Sequence, residues 1–316
     1  MPTDHFPNFS SQYITTSLGA RLFVRTSAPK SPTSKPPLLL LHGFPQTHIE
    51  FHRIAPSLLP HFTLILLDLR GYGASSPVPS STNGSGYTKR LMGQDCLSVM
   101  EQLGYNNSPD EKFAVLGHDR GARVAYRLAF DNPERISKVI VVDIVPTASM
   151  FRGFGEVNAG LKGYHWLFLS QPEPFPERLI GGVEAGKMFL EHALASWTGT
   201  GTLAAYDAEV MQRYREAYCT EEKIHATCED YRAGAYFDRV YDEEELERGN
   251  KIQVPVLAVW GEAGLFASEM KGKKEGPLEV WQKYCVDVRG RGLSCGHFIP
   301  EEDPEALVEE ALKFLL

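Results

Sequence analysis

Cysteine is sparse and scattered in this 316-residue chain: Cys96, Cys219, Cys228, Cys285 and Cys295 form no C-x-x-C pair and no metal-ligand spacing. An odd, dispersed set argues against a disulfide framework and for a reducing compartment. Positive charge is not in excess either. With 32 Lys and Arg against 40 Asp and Glu, the net charge of −8 argues against nucleic acid or an anionic membrane surface as partner. No apolar run approaches a membrane span, since "LLLL" and "FTLILL" are strand-sized. The opening "MPTDHFPNFSSQYITT" has no basic region followed by an apolar stretch, so no secretory signal is expected. Together these absences predict a cytoplasmic protein. The densest acidic run, Asp242-Glu243-Glu244-Glu245, reads as a solvated helix start.

A chain of this length with 43% hydrophobic residues can bury a large core. Strand-length apolar runs alternate with helical patterns, the mark of a mostly parallel α/β sheet. "PPLLLLHGF" (Pro36–Phe44), "FTLILLDLRGYG" (Phe62–Gly73), "KFAVLGHDRG", "KVIVVDIVP" (Lys138–Pro146), "VPVLAVWGE" (Val254–Glu262) and "VDVRG" read as strands. "TKRLMGQDCLSVMEQLG", "ARVAYRLAFDNP", "PLEVWQKYC" and the C-terminal "PEALVEEALKFLL" read as helices. From about Thr147 to about Asn250 the sequence turns aromatic and helical with no β-run. The expected organisation is a core at 1–146, a helical cap at 147–250 and the rest of the core at 251–316. "SPVPSSTNGSGYT" reads as a flexible polar loop.

No serine stands at the one place where a hydrolase would most often have it. Gly117-His118-Asp119-Arg120-Gly121 has the form G-x-Nu-x-G between a strand and a helix, the turn that lifts a nucleophile above an α/β-hydrolase sheet. An aspartate there is already ionised at pH 7. It can displace a leaving group from an sp³ carbon or open an epoxide, forming an ester on its own side chain. His297, in "GHF", would then be the base for the water that hydrolyses the ester. The residues leave two candidates for the orienting acid, Asp143 and Glu262, each at a strand end. The backbone N–H groups of Phe44 and Arg120 would form the oxyanion hole. His42 and His118 read as structural, and Asp68 and Arg70 as a pair bracing a loop. Arg120 and Arg123, three apart at a helix start, share a face and offer guanidinium donors to an anion beside Asp119. Arg127, one turn on, reads as a surface arginine paired with acids.

"HGFPQTHIEFHRIAP", "DLRGYG", "GHDRGARVAYRLAFDNPERI", "YHWLFLSQPEPFPE", "CEDYRAGA" and "GHFIPEE" together resemble the fluoroacetate dehalogenase family of α/β-hydrolases. The resemblance runs from about Phe9 to the C-terminus, with "DRGAR" its sharpest element. It implies the α/β-hydrolase fold with an inserted helical cap and no cofactor or metal. Asp119 would be the nucleophile, His297 the base and Asp143, rather than Glu262, the acid. Arg120 and Arg123 would hold the carboxylate of a small haloacid. His165, Trp166 and Tyr231 would bind the departing halide; from the residues alone these three read as cap packing. A homodimer is also implied. Two other readings compete. An epoxide hydrolase on this scaffold would use cap tyrosines such as Tyr231 or Tyr236, but the tryptophan that often follows the nucleophile in such enzymes is absent here. A non-catalytic ligand-binding protein would have no need for Asp119, Asp143 and His297 together.

Overall fold

A strand buried on both faces is apolar along nearly its whole length, and three segments fit this pattern. Leu38–Leu41, Thr63–Leu67 and Phe113–His118 are buried throughout. They form the centre of an eight-stranded sheet in a computed structural model that describes residues 4–27, 35–105, 108, 111–264 and 275–316. The strands are β1 (Ser10–Thr15), β2 (Arg21–Thr26), β3 (Pro37–Leu41), β4 (Thr63–Leu67), β5 (Phe113–His118), β6 (Ile136–Val142), β7 (Val256–Gly261) and β8 (Val288–Leu293), in the order β1-β2-β4-β3-β5-β6-β7-β8. From β4 to β8 all pairings are parallel, while β2 lies antiparallel to both β1 and β4. The mostly parallel α/β sheet expected from the sequence is present.

Alternation along β3 divides the core. Leu39 and Leu41 pack on one face of the sheet and Leu38 and Leu40 on the other. Helices Lys89–Gln102 and Asp119–Asp131 cover the first face, and the terminal helix Pro304–Leu315 helps to cover the second. The β1–β2 hairpin was not anticipated: its strands are short and mixed in polarity, with β1 mostly exposed.

Between β6 and β7 the chain is helical, from Thr147–Gly153 to Arg239–Glu247. Two expectations change here. Asp242 is not solvated: it is buried and accepts from the Tyr126 hydroxyl (2.9 Å) and the Ala148 N–H (3.2 Å). The stretch 76–88 is more than a polar loop. It contains a 3₁₀ turn, Thr82–Tyr87, with Tyr87 buried and Gly84 pressed against helix Glu221–Ala233. Gly84 has φ +77°, and a Cβ there would lie 2.0 Å from the Glu229 carbonyl oxygen, so only glycine fits. This turn ties the helical insertion to the core. Much of the loop Gly261–Gly276, at 265–274, lies outside the described residues. Among the described residues, no helix is long and apolar enough to cross a membrane.

Candidate active site

The parallel strands end together, and the candidate residues collect at that edge. Asp119 is the first residue of the elbow helix, directly after β5, and sits at φ +44°. Such strain persists where packing enforces it. A Cβ at Gly121 would lie 2.0 Å from the Leu41 carbonyl oxygen, so the helix can approach β3 only through glycine. The turn leaves Asp119 with its two oxygens in different settings. Oδ1 accepts from the Phe44 N–H at 2.9 Å, while Oδ2 lies 3.9 Å from His297 Nε2. Burial pushes the Asp119 carboxyl up, but the charges of His297, Arg120, His118 and Arg123 outweigh it and hold the group below its ordinary value. Arg120 is the second residue of the helix, so its N–H is among the first-turn donors that have no acceptor within the helix.

His297 is oriented from its far side. Its Nδ1 lies 2.5 Å from Asp143 Oδ2, and Asp143 Oδ1 accepts from the Gly261 N–H at 2.8 Å. Nε2 is buried without a hydrogen-bond partner and faces Asp119. Glu262, the other candidate acid, is exposed. Of the two, it is Asp143 that contacts His297. The His297 loop is also clamped. Its N–H donates to the Trp197 carbonyl (2.9 Å), and the Glu302 carboxylate accepts from Gly199, Gly296 and Phe298 N–H groups.

His118 and His42 both support the loops around the site. His118 bridges Glu50 Oε2 (3.2 Å) and the His297 carbonyl (3.0 Å). Burial alone would lower its pKa, but the Glu50 carboxylate, together with the charges of Asp119 and Asp143, outweighs burial and raises it to about 9. His42 accepts from the Leu69 N–H through Nε2 and contacts the Gly43 carbonyl through Nδ1. Asp68 and Arg70 do not pair with each other. Asp68 accepts from the backbone of His48 and Ala74 and contacts the His48 ring, whereas Arg70 is bound to Asp95 at 2.7 Å.

Both arginines are fully buried, but among the described residues only Arg120 has an anionic partner. Arg120 spends most of its donors on Asp230: Nε to Oδ2 (2.8 Å), and Nη2 to Oδ1 (2.9 Å) and the carbonyl (2.8 Å). Its Nη1 has no partner. Arg123 donates through Nη1 to the Val145 carbonyl (3.0 Å) and Thr147 Oγ1 (3.2 Å), leaving Nε and Nη2 unpartnered. No ion pair is seen for Arg123 among the described residues. Its guanidinium lies over the Trp166 ring, and that of Arg120 over Tyr231. Unpaired buried charge is costly, so these free donors call for an anion. Arg127 is buried rather than on the surface, but it does pair with acids, reaching Asp131 at 2.7 Å.

The helical insertion brings His165, Trp166 and Tyr231 into one aromatic cluster, all buried. His165 Nδ1 and the Tyr231 hydroxyl have no hydrogen-bond partner. Burial lowers the His165 pKa to about 3, so its ring is neutral at pH 7. Burial and the nearby Asp119 charge raise Tyr231, so its phenol remains a donor. Tyr236, by contrast, is half exposed on a π-helical turn, Gly234–Asp238.

Sequence reasoning missed Asp230. It anchors Arg120 and also contacts Lys89 and the Tyr72 hydroxyl, which donates to it at 2.7 Å. The signal was its place beside Tyr231 in "CEDYRAGA", where two neighbouring residues of one helix serve the same site. Among the described residues, no group of three or more His, Cys, Asp or Glu is placed to hold a metal ion.

Comparison with known proteins agrees with this architecture. The alpha/beta hydrolase fold family model matches residues 36–303. A fluoroacetate dehalogenase from Burkholderia sp is 36% identical over 89% of this chain and 88% of its own length. A soluble epoxide hydrolase from Corynebacterium sp. (strain C12) is 28% identical over 88% of this chain and 89% of its own. The crystal structure of a protein from Nostoc sp PCC 7120, described as an alpha/beta hydrolase, superposes with a TM-score of 0.86 at 40% identity, covering 98% of each chain.

Proposed function

The chain belongs to the α/β-hydrolase family, and from that premise we propose that it hydrolyses a small 2-haloacid, with fluoroacetate the best match, to a 2-hydroxy acid and halide. The observation that carries this reading is Arg123. A wholly buried guanidinium with two free nitrogens, next to the free Nη1 of Arg120, is completed by one substrate carboxylate. That anchor would present the adjacent carbon to Asp119. The 36% identity with a fluoroacetate dehalogenase supports the same reading.

In this mechanism Asp119 Oδ2 attacks the halogen-bearing carbon, the carbon–halogen bond breaks, and an ester forms. Fluoride is a poor, strongly hydrated leaving group, so donors aimed at its developing charge matter most. Tyr231 Oη, His165 and Trp166 are the proposed donors. Water, deprotonated by His297 Nε2, then attacks Cγ of Asp119. The oxygen that becomes the oxyanion is Oδ1, which already accepts from Phe44 N–H. Asp143 orients His297 and stabilises its imidazolium. No cofactor enters this scheme.

The test is halide release by purified protein with fluoro-, chloro- and bromoacetate, beside hydration of uncharged epoxides. Release of fluoride or chloride with stoichiometric glycolate is expected. Turnover of neutral epoxides without any halide release would contradict the reading.

A further inference from the structure

The loop that carries the Phe44 N–H is gripped by the helical insertion. Every aromatic ring packed on Phe44 among the described residues comes from that insertion: His165, Phe189, Trp197, Tyr218 and Tyr231. Two residues further on, Gln46 makes a second link. Its Nε2 donates to the Tyr214 hydroxyl at 3.1 Å, and Tyr214 donates to Glu301 Oε1 at 2.6 Å. Tyr214 lies on helix Ala208–Tyr218 of the insertion, one turn before Tyr218, and Glu301 lies in the short helix that follows His297. All three side chains are buried. A backbone turn joins Gln46 to Phe44, since the Gln46 N–H donates to the Gly43 carbonyl at 3.0 Å. A buried polar row carries a desolvation cost that apolar packing avoids, whereas its directional bonds fix one geometry. The mechanism above gives these three residues no part, and among the described residues none of their side chains is hydrogen-bonded to Asp119, Arg120, Arg123 or His297.

We propose that Gln46 and Tyr214, braced by Glu301, are positioning residues for the Phe44 N–H, and that they serve the second chemical step, hydrolysis of the ester. The inference rests on the aspartyl-ester mechanism given above. The two steps load this N–H in opposite directions. In the first, Asp119 gives up its charge to the new ester bond, so the hydrogen bond from Phe44 to Oδ1 weakens on the way to the transition state. In the second, hydroxide adds to Cγ and charge collects on Oδ1, so the same bond strengthens. An N–H shifted from Oδ1 therefore leaves alkylation nearly intact and slows hydrolysis. The insertion thus contributes to the oxyanion hole as well as to the anion site. Burial pushes the Glu301 carboxyl up to about 8, so at pH 7 it is mainly a neutral acid whose Oε1 accepts from Tyr214. A glutamine keeps that acceptor and that neutrality.

Single turnovers, with purified protein in excess over bromoacetate at pH 7, separate the steps: bromide reports the first and glycolate the second. Tyr214→Phe, Gln46→Met and Glu301→Ala should release bromide within about 3-fold of the wild-type rate and glycolate about 10-fold or more slowly, a displaced donor costing less than the ~10²- to 10³-fold of a deleted one. Mass spectrometry at intermediate times should show a carboxymethyl ester on the Asp119 peptide that exceeds the wild-type level. Glu301→Gln should stay within about 3-fold of wild type in both steps. Adding Gln46→Met to Tyr214→Phe should slow glycolate release no further, because both cut one chain of bonds. A merely structural role would slow both steps together; that result, or no slowing of either, overturns the inference and leaves the haloacid reading intact. Glu301→Gln as impaired as Glu301→Ala removes the brace and overturns it too. Bromide release by wild type with no ester in either wild type or His297→Asn takes away the aspartyl-ester mechanism, and the inference with it.

Discussion

The two sides of the site are built from different materials. On the strand-end side, position is set by backbone: Phe44 N–H on Asp119, Gly261 N–H on Asp143, and the Trp197 and His118 contacts at the main chain of His297. On the insertion side, position is set by buried charge and ring edges. Asp230 on helix Glu221–Ala233 grips Arg120 of the core, and Lys89 and Tyr72 of the core hold Asp230 in turn. Backbone anchoring needs specific turns, and turns leave a trace in sequence. Charge anchoring needs only that partners meet in space. The two sides should therefore fail differently when cut.

The largest effect is expected where the insertion is riveted to the core. Asp230→Ala leaves Arg120 and Lys89 buried without their shared anion, and breaking such a buried pair costs about 3–5 kcal/mol. Urea unfolding should show that loss in the midpoint; a change within about 0.5 kcal/mol would mean that the strand-end side alone fixes Arg120. Arg123→Ala, which cuts no ion pair among the described residues, should be far milder for stability. It should instead cost about 2–5 kcal/mol in transition-state binding, or about 30- to 4,000-fold in kcat/KM for haloacids. Haloacid kinetics within a few-fold of wild type would remove the anion site from the account.

A smaller difference is expected among the aromatic donors. Trp166→Phe and Tyr231→Phe should reduce fluoroacetate turnover more than chloroacetate turnover, because fluoride concentrates its charge on a smaller ion. Equal losses would reduce these rings to packing. The mildest effect lies beneath the strand-end side. The His118 pKa is raised from 6.5 to about 9, so the stability it contributes is fully present below about pH 6.5 and is lost as pH rises through about 9. Wild type should lose stability over that window, and His118→Asn should flatten the loss. Parallel pH–stability curves for the two proteins would contradict the Glu50–His118 contribution.

The same comparison explains what could be read in advance. Asp119 and His297 stood in strand–loop contexts whose glycines and spacing are local properties, and the same contexts narrowed the acid only to Asp143 or Glu262. The parallel strands were legible because burial on both faces makes them apolar at consecutive residues, as from Leu64 to Leu67. The β1–β2 hairpin was not, since its strands are largely exposed or alternate. Asp230 and Lys89 lie 141 residues apart in sequence, and no local pattern links them. The pairing of Asp68 with Arg70 was misread for the same reason: adjacency in sequence suggested a bond that Asp95 makes instead.

Covalent catalysis by Asp119 is the central claim, and trapping its ester tests it most directly. In His297→Asn the attack by Asp119 needs no base, whereas ester hydrolysis does. One equivalent of halide from chloroacetate or fluoroacetate should appear, followed by a stall. Mass spectrometry should then find a carboxymethyl group on the peptide containing Asp119. Sustained halide release without an adduct, with ¹⁸O from solvent water in the first product formed, would show direct attack by water and contradict the account.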